Sequence, residues 1–119
     1  MAVIQVLLDS HPGPLPLQGK FQPQGDVPPA LFLTGTAQTS TPGNTIMIQL
    51  SILDQDGKDA GGTTAVVMSN EAKQHKTLLA LPADQKPWKF GQTYSYAIYV
   101  AGQNTISDAN DFYSLTILY

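Results

Sequence analysis

The stretches YSYAIYVA at residues 94–101 and FYSLTILY at residues 112–119 decide the fold of this chain. Large apolar or aromatic side chains occupy every second position of both stretches, which is the spacing of half-buried β-strands. A polar connection at residues 102–111 joins them and ends in DAND. The chain therefore ends in two strands that present a carboxylate-bearing loop. The alternating positions are Tyr94, Tyr96, Ile98 and Val100, then Tyr113, Leu115, Ile117 and Tyr119.

The same alternation recurs upstream and predicts about eight strands. Turn-forming sequences fall between the apolar runs, at residues 41–44, 54–57 and 61–62, and no interval is long enough for a helix. We therefore predict an all-β fold, a single antiparallel β-sandwich of immunoglobulin-like or jelly-roll-like type that comprises residues 1–119 as one domain. The best-patterned strand, 45–53, is expected in the middle of a sheet. The predicted strands are 3–8, 17–22, 30–38, 45–53, 63–69, 76–81, 94–101 and 112–119.

Two features distinguish the amino-terminal part of the chain. Residues 12–29 contain six of the nine prolines, which cannot donate to a sheet ladder, so residues 10–29 are expected to cross one end of the sandwich. Residues 3–8 are apolar on both faces. This strand is either an inner strand of the domain's own core or a strand covered by a second subunit of a homo-oligomer.

The composition excludes several classes of function. The 119 residues include no cysteine and no arginine, and the net charge is −3. Cysteine chemistry is excluded, and a mildly acidic chain without arginine is a poor candidate for nucleic acids or anionic membranes. The apolar start of the chain ends at Asp9, too early for a signal peptide or a membrane span. We expect a soluble protein made in the cytoplasm, with any export by a signal-independent route.

Residues 81–96 resemble the passage into the sixth strand of immunoglobulin and fibronectin type III domains. In those domains a tyrosine at this corner hydrogen-bonds back to the preceding loop, and the resemblance implies this role for Tyr94 or Tyr96. The paired cysteines of antibody domains are missing, and Trp88 precedes a late strand instead of lying on an early one. The resemblance implies a fold and no function.

The sequence DAND at residues 108–111 places three oxygen-bearing side chains at a loop-to-strand junction, where they can converge on a hard cation. It is similar to the end of the calcium loop in small fucose-binding bacterial lectins, in which Asp, any residue, Asn and Asp precede a strand. The resemblance implies Asp108, Asn110 and Asp111 as ligands of calcium. It implies one cation at most, because the upstream acidic positions carry Gly102 and Ile106. The alternative is an Asx turn, in which Asp108 or Asn110 hydrogen-bonds the backbone.

Two further polar segments carry weaker signals. DQDGKD at residues 54–59 resembles the opening of an EF-hand calcium loop, but the downstream glutamate is absent and Asp-Gly is a common hairpin turn, which we favour. Glu71 and His75 would share a face if residues 69–76 made a helical turn, and could then act as acid and base or as metal ligands. A solvated connecting loop is the favoured interpretation of this segment.

Two aromatic residues are candidates for ligand contact. Trp88 lies between lysines in a loop expected to be exposed, where it could stack on a sugar ring or anchor a protein partner. The alternative is that Trp88 and Phe90 fold back as a lid on the open end of the sandwich. Tyr99 is out of phase with its inward neighbours and is expected to be exposed.

The sequence lacks any complete catalytic or phosphate-binding motif, so we do not expect an enzyme. The favoured hypothesis is a lectin-like module that recognises neutral glycans, with calcium assisting. The alternative is a structural or assembly module, a building block of an appendage, a tail or a homo-oligomer, without a small ligand. Either module could also bind a protein partner. The predicted ligand-contacting residues are Trp88, Tyr99, Asn104, Asp108, Asn110 and Asp111.

Overall fold

The computed structural model describes residues 3–80 and 85–119, and these residues form nine strands. Eight lie where the alternation predicts them, and the ninth is a two-residue strand inside the 102–111 connection. Every strand pair is antiparallel. The strands are β1 (Ile4–Pro12), β2 (Leu17–Phe21), β3 (Ala30–Thr39), β4 (Asn44–Leu53), β5 (Asp59–Ser69), β6 (Lys76–Ala80), β7 (Tyr94–Val100), β8 (Thr105–Ile106) and β9 (Phe112–Leu118).

The strands form two sheets that pack face to face as a β-sandwich. The first sheet has the order β1-β9-β3-β6, with β8 paired to the end of β3, and the second has the order β2-β7-β4-β5. The predicted all-β antiparallel sandwich is confirmed, and β4 lies inside its sheet as expected. None of the described residues belongs to a helix of the length and apolarity needed to cross a membrane.

The core lies between the sheets and is built from the inward half of each alternating strand. β4 contributes four isoleucine or leucine side chains that are fully buried, and β9 contributes Tyr113, Leu115 and Ile117. Burying such side chains stabilises the fold by roughly 1.5–3 kcal/mol each. Alternation therefore predicted the strands because one face of each is buried. The β4 core residues are Ile46, Ile48, Leu50 and Ile52.

Two glycines leave room for a tyrosine ring of the neighbouring strand to lie against the backbone. Gly35 of β3 pairs with Tyr113 of β9, and Gly19 of β2 pairs with Tyr96 of β7. A Cβ atom at either glycine would collide with the ring of its partner tyrosine. Both glycines are therefore required for close approach of a side chain, one of the specific uses of glycine in a strand interior.

β1 is the outermost strand of the first sheet and pairs with β9 on one side. Ile4 is 65% exposed and Val6 is 58% exposed, both on the outward face. The interpretation of this segment as an inner strand is wrong, because its apolar outward face lies in solvent. After Pro12 the chain passes from the first sheet to β2 in the second sheet, within the predicted proline-rich segment.

Because the strands alternate in direction, their connections alternate between two ends of the sandwich. The first end carries residues 13–16, 40–43, 70–75 and 101–111, and the second end carries 22–29, 54–58 and 85–93. The seven residues of β9 separate the ends by about 23 Å at about 3.3 Å per residue. Trp88 and the 108–111 loop thus lie at opposite ends and cannot share one small-ligand site.

Candidate functional site

A cluster of polar side chains at the first end brings together His75, Asp108 and Asp111. β6 and β9 both pair with β3, one on each side, and run in the same direction. The residues just before these two strands therefore arrive at the same end. Nδ1 of His75 lies 2.5 Å from Oδ1 of Asp111.

Asp111 is the buried anchor of this cluster, with no exposed surface. Its Oδ1 atom also accepts a hydrogen bond from Oγ1 of Thr36 at 2.8 Å, and its Oδ2 atom accepts one from the backbone N–H of Asp108 at 2.8 Å. These donors hold the Asp111 carboxylate in one orientation against Nδ1 of His75.

Asp108 lies at the solvent side of the cluster. Its Oδ1 atom accepts a hydrogen bond from the backbone N–H of Asn110 at 2.8 Å, and its Oδ2 atom accepts one from Nε2 of Gln38 at 2.8 Å. Oδ2 is also 3.8 Å from Nε2 of His75, too far for a hydrogen bond. The Asx turn considered for DAND is present, and it aims Asp108 toward His75.

The electrostatics of the site follow from these contacts. The hydrogen bond to Asp111 raises the pKa of His75 above 6.5, against a smaller lowering by partial burial, and the charges of Asp111 and Asp108 add to the rise. Beneath the cluster, burial raises the pKa of Tyr113 to about 12, although a hydrogen bond with Ser107 opposes the shift. The hydroxyl groups of Tyr113 and Ser107 are 2.6 Å apart.

The structure gathers only part of the predicted ligand set. Asp108 and Asp111 lie together, while Asn110 contributes its backbone N–H to the turn. Asn104 lies further back in the same connection, where its carbonyl oxygen accepts a hydrogen bond from the backbone of Ser40 at 2.9 Å. Calcium binding by Asp108, Asn110 and Asp111 stays a prediction. Each oxygen of the two carboxylates already accepts a hydrogen bond from a protein donor.

The pairing considered for Glu71 and His75 is wrong. Oε1 of Glu71 is 3.3 Å from Nζ of Lys76, whereas His75 turns to Asp111. The segment is a short connection and not a helical turn. Glu71 therefore pairs with Lys76 at the end of the same connection, and His75 with Asp111 from a distant part of the sequence.

Trp88 lies in the core at the second end, against the expectation of an exposed ring. It is 4% exposed and packs against Phe21, Tyr94 and Tyr119. Its Nε1–H group donates a hydrogen bond to the carbonyl oxygen of Ala60 at 2.8 Å. The lid alternative accounts for this residue, except that Phe90 remains 71% exposed. In this position the indole has no free face for a sugar ring.

The corner tyrosine and the DQDG turn are present as expected. The backbone N–H of Lys89 donates a hydrogen bond to the hydroxyl oxygen of Tyr94 at 2.9 Å, which ties the preceding loop to β7. At the β4–β5 connection, Oδ1 of Asp54 accepts hydrogen bonds from the backbone of Asp56 and Lys58, both at 2.9 Å. Gly57 adopts a φ of 79°, the left-handed conformation that glycine favours.

Tyr99 faces outward from β7 and is half-buried, on the same face as Ser95 and Ala97. Beside it, on the outer face of the second sheet, lies an open groove of about 430 Å³. Ser95 and Ala97 line its floor. The walls are formed by Gln18 and Lys20 of β2 and by Ser51 and Leu53 of β4. The groove offers amide, hydroxyl and ammonium groups, and Tyr99 follows Ala97 two positions along the same face without lining the groove itself.

The outer face of the first sheet is apolar around β1. The β1 residues Ile4 and Val6 pair with Leu118 and Thr116 of β9, and Thr116 pairs in turn with Phe32 of β3. Ile4, Val6 and Phe32 are exposed large apolar side chains. We call Ile4, Val6, Leu118 and Phe32 the β1 patch.

Sequence reasoning missed the contacts of His75, Thr36 and Gln38. The strand order could have shown these contacts. β6 and β9 lie on either side of β3 and begin at the same end, so the residues just before them lie near each other at that end. Thr36 and Gln38 face outward from β3. Thr36 hydrogen-bonds to Asp111, and Gln38 hydrogen-bonds to Asp108.

Comparison with known proteins gives the fold and not the family. No protein-family model matches the chain, and no curated protein sequence is significantly similar. A structure of infectious bursal disease virus Gx strain is similar with a TM-score of 0.54 and 9% identity, covering 99% of this chain and 32% of that one. A mutant VP2 protein of infectious bursal disease virus is similar with a TM-score of 0.52 and 11% identity, covering 98% and 31%.

The chain thus spans about a third of the length of these viral chains. The C-terminal domain of EclA, a sugar-binding protein, has a TM-score of 0.37 and 20% identity, covering 98% of this chain and 76% of that one. At these identities the likeness to the viral structures shows the fold alone. The chain is a β-sandwich.

Proposed function

We propose that this chain is a non-enzymatic assembly module that forms a homo-oligomer through β1. The observation that carries the proposal is the exposure of Ile4 and Val6 on the outermost strand of a sheet. In the described residues, β1 pairs with β9 alone. An outermost strand leaves every second N–H and C=O group without a ladder partner, which makes it a template for another strand.

The first five residues of β1 carry neither a charge nor a proline, two of the features by which proteins protect such a strand. Lysine, proline or an inward charge normally blocks edge-to-edge pairing. In β1 no charge precedes Asp9, and the proline is Pro12, the last residue. Residues 4–8 therefore offer an uncharged, proline-free stretch to a partner strand, interrupted by a register shift against β9 between Val6 and Leu8.

A second copy of the chain is the occupant that best fits this strand. Two identical strands related by a two-fold axis pair antiparallel, and each supplies the donors and acceptors that the other lacks. The β1 patch contains no charged residue, so two copies bring no like charges together. Pairing would continue the first sheet across the axis and place the outward apolar side chains of the two β1 strands side by side on one face.

Sedimentation velocity of the unmodified chain and of Val6→Lys tests this proposal. Val6 is 58% exposed, so lysine fits the monomer without disturbing its core. We expect a defined oligomer for the unmodified chain and a monomer with an unchanged circular dichroism spectrum for Val6→Lys.

Val66→Lys is the matched control, because Val66 is 50% exposed on β5, the outermost strand of the other sheet. It should retain the oligomer. A monomeric unmodified chain at all concentrations, or an oligomer lost in Val66→Lys and kept in Val6→Lys, would overturn the proposal.

A second candidate function is recognition of neutral glycans, favoured by the groove beside Tyr99. Sugar rings stack on exposed aromatic faces, and their hydroxyl groups hydrogen-bond to amides and hydroxyls such as those of Gln18 and Ser51. Of the predicted ligand-contacting residues, this assignment retains Tyr99 and omits Trp88, which lies in the core. The two functions are compatible, since oligomers gain avidity for repeated ligands.

A glycan array, run with calcium and with a chelator, tests the second candidate. Binding that Tyr99→Ala abolishes and that Phe90→Ala leaves intact would support the groove. Binding lost on chelation and in Asp111→Ala would instead support the predicted calcium loop. If no glycan of a broad array binds, assembly remains as the proposed function.

A further inference from the structure

The contacts of His75 determine which of its ring nitrogens is available. Asp111 receives hydrogen bonds on both carboxylate oxygens, from Thr36 and from the backbone of Asp108. Because the oxygens of Asp111 act as acceptors in these contacts, the His75 nitrogen that contacts Oδ1, Nδ1, is the donor and carries the proton. The lone pair of the neutral ring is then on Nε2, the atom nearer to Asp108.

This arrangement has the form of an oriented metal ligand. Metal-binding histidines commonly donate their second N–H to a carboxylate, which fixes the tautomer and orients the ring. Asp111 does this for His75 at 2.5 Å from a fully buried position. Gln38 similarly orients Asp108, through its hydrogen bond of 2.8 Å to Oδ2.

The spacing of the two proposed ligand atoms, of which Oδ2 of Asp108 also accepts the hydrogen bond from Gln38, fits an ion better than a direct contact. Nε2 of His75 and Oδ2 of Asp108 are 3.8 Å apart. Two ligands that bind one tetrahedral ion at about 2.0–2.2 Å are about 3.4 Å apart. A movement of a few tenths of an ångström, within the freedom of two partly exposed side chains, would allow both to bind one ion.

We propose that His75 and Asp108 bind a divalent transition-metal ion of the zinc type through Nε2 and Oδ2, with Asp111 as the residue that positions His75. Imidazole nitrogen favours zinc, nickel or copper, whereas calcium takes oxygen ligands. The site therefore differs from the predicted calcium set, since it includes His75 and omits Asn110.

The site is open. The side chains of His75 and Asp108 are 37% and 39% exposed, so an ion can enter and keep two or more positions for water. Such a position could also take an oxygen or nitrogen donor from a bound molecule. The proposal does not depend on self-association through β1.

Titration of the tag-free chain with zinc chloride, followed by ¹⁵N NMR of the histidine rings, tests the proposal. Before zinc is added, and at a pH above the raised pKa of His75, we expect the neutral ring to be protonated at Nδ1 and unprotonated at Nε2. Zinc should shift the Nε2 resonance of His75 and leave that of His11 in place. Calcium chloride at the same concentrations should shift neither.

Calorimetry of variants separates the two ligands from general surface binding. His75→Gln and Asp108→Asn should each weaken zinc binding at least about tenfold, in the range found when groups that support a metal site are removed. His11→Gln, which changes the second histidine of the chain, is the matched control and should bind as the unmodified chain does. Each variant is checked for an unchanged amide spectrum.

Four results would overturn the proposal. They are a neutral His75 ring protonated at Nε2, zinc binding that survives both substitutions, no zinc binding into the millimolar range, and loss of zinc binding in His11→Gln, which would place the ion elsewhere.

Discussion

Nδ1 of His75 lies 2.5 Å from Oδ1 of Asp111, and this contact joins the β5–β6 connection to the start of β9 across 36 residues of sequence. The carboxylate is fully buried and has a donor on each oxygen. The first end of the sandwich is therefore organised around the buried carboxylate of Asp111.

Asp111→Asn should destabilise the fold by about 2–4 kcal/mol. Whichever way the new amide points, its NH₂ group faces a donor, and hydrogen bonds to a charged acceptor contribute about 1.5–3 kcal/mol each. Urea unfolding followed by circular dichroism measures the change. Asp56→Asn, in the exposed β4–β5 turn, should change stability by less than about 0.5 kcal/mol. Equal effects of the two variants would contradict this role of Asp111.

Trp88→Phe should destabilise the fold by about 1–3 kcal/mol. It removes the hydrogen bond to the carbonyl oxygen of Ala60 and part of the packing against Phe21 and Tyr94. Because Trp88 is the one tryptophan, fluorescence provides a direct check. Emission of the native chain should be blue-shifted and move to longer wavelength on unfolding. A red emission from the folded chain would place the indole in water.

Gly35→Ala should destabilise the fold by about 1–3 kcal/mol, because its new methyl group would collide with the ring of Tyr113 and force a fully buried side chain to move. Gly19→Ala should behave alike, through Tyr96. Thr34→Ala, on the outward face of β3, controls for strand position. Thermal unfolding of the three variants provides the comparison. Tolerance of both glycine substitutions would show that the tyrosine rings do not depend on them.

Stability should fall at high pH as the tyrosines ionise. Burial raises the pKa of Tyr113 from 10.0 to about 12, and burial also raises those of Tyr96 and Tyr119. Because the pKa of each of these tyrosines is higher in the folded state, the hydroxyl group loses its proton at a lower pH in the unfolded chain than in the folded one. The stabilisation is complete below pH 10 and is lost as pH rises toward 12. Urea midpoints across this range should fall less steeply for Tyr113→Phe than for the unmodified chain.

Much of the fold follows from the alternation of apolar residues. The buried half of β4 or β9 is evident at every second position, because each strand has one face in the core. β8 was missed because two residues carry no period, and its pairing with β3 depends on a tertiary contact.

The candidate site was only partly predictable. DAND was evident as a turn, since the Asx geometry of Asp108 is local. His75 was assigned the wrong partner, because its contact with Asp111 depends on β6 and β9 flanking β3. Trp88 was expected in solvent because lysines surround it, but a ring that bonds the carbonyl oxygen of Ala60 can be buried while its neighbours remain exposed.

The direction of β1 has a consequence for anything the first end binds. β1 runs from the second end toward the first, so a two-fold antiparallel pair would point the His75 ends of its two copies in opposite directions. Such a dimer would be a crosslinker: it would bridge two separate surfaces or molecules, and it would gain little from two copies of a ligand on one flat surface.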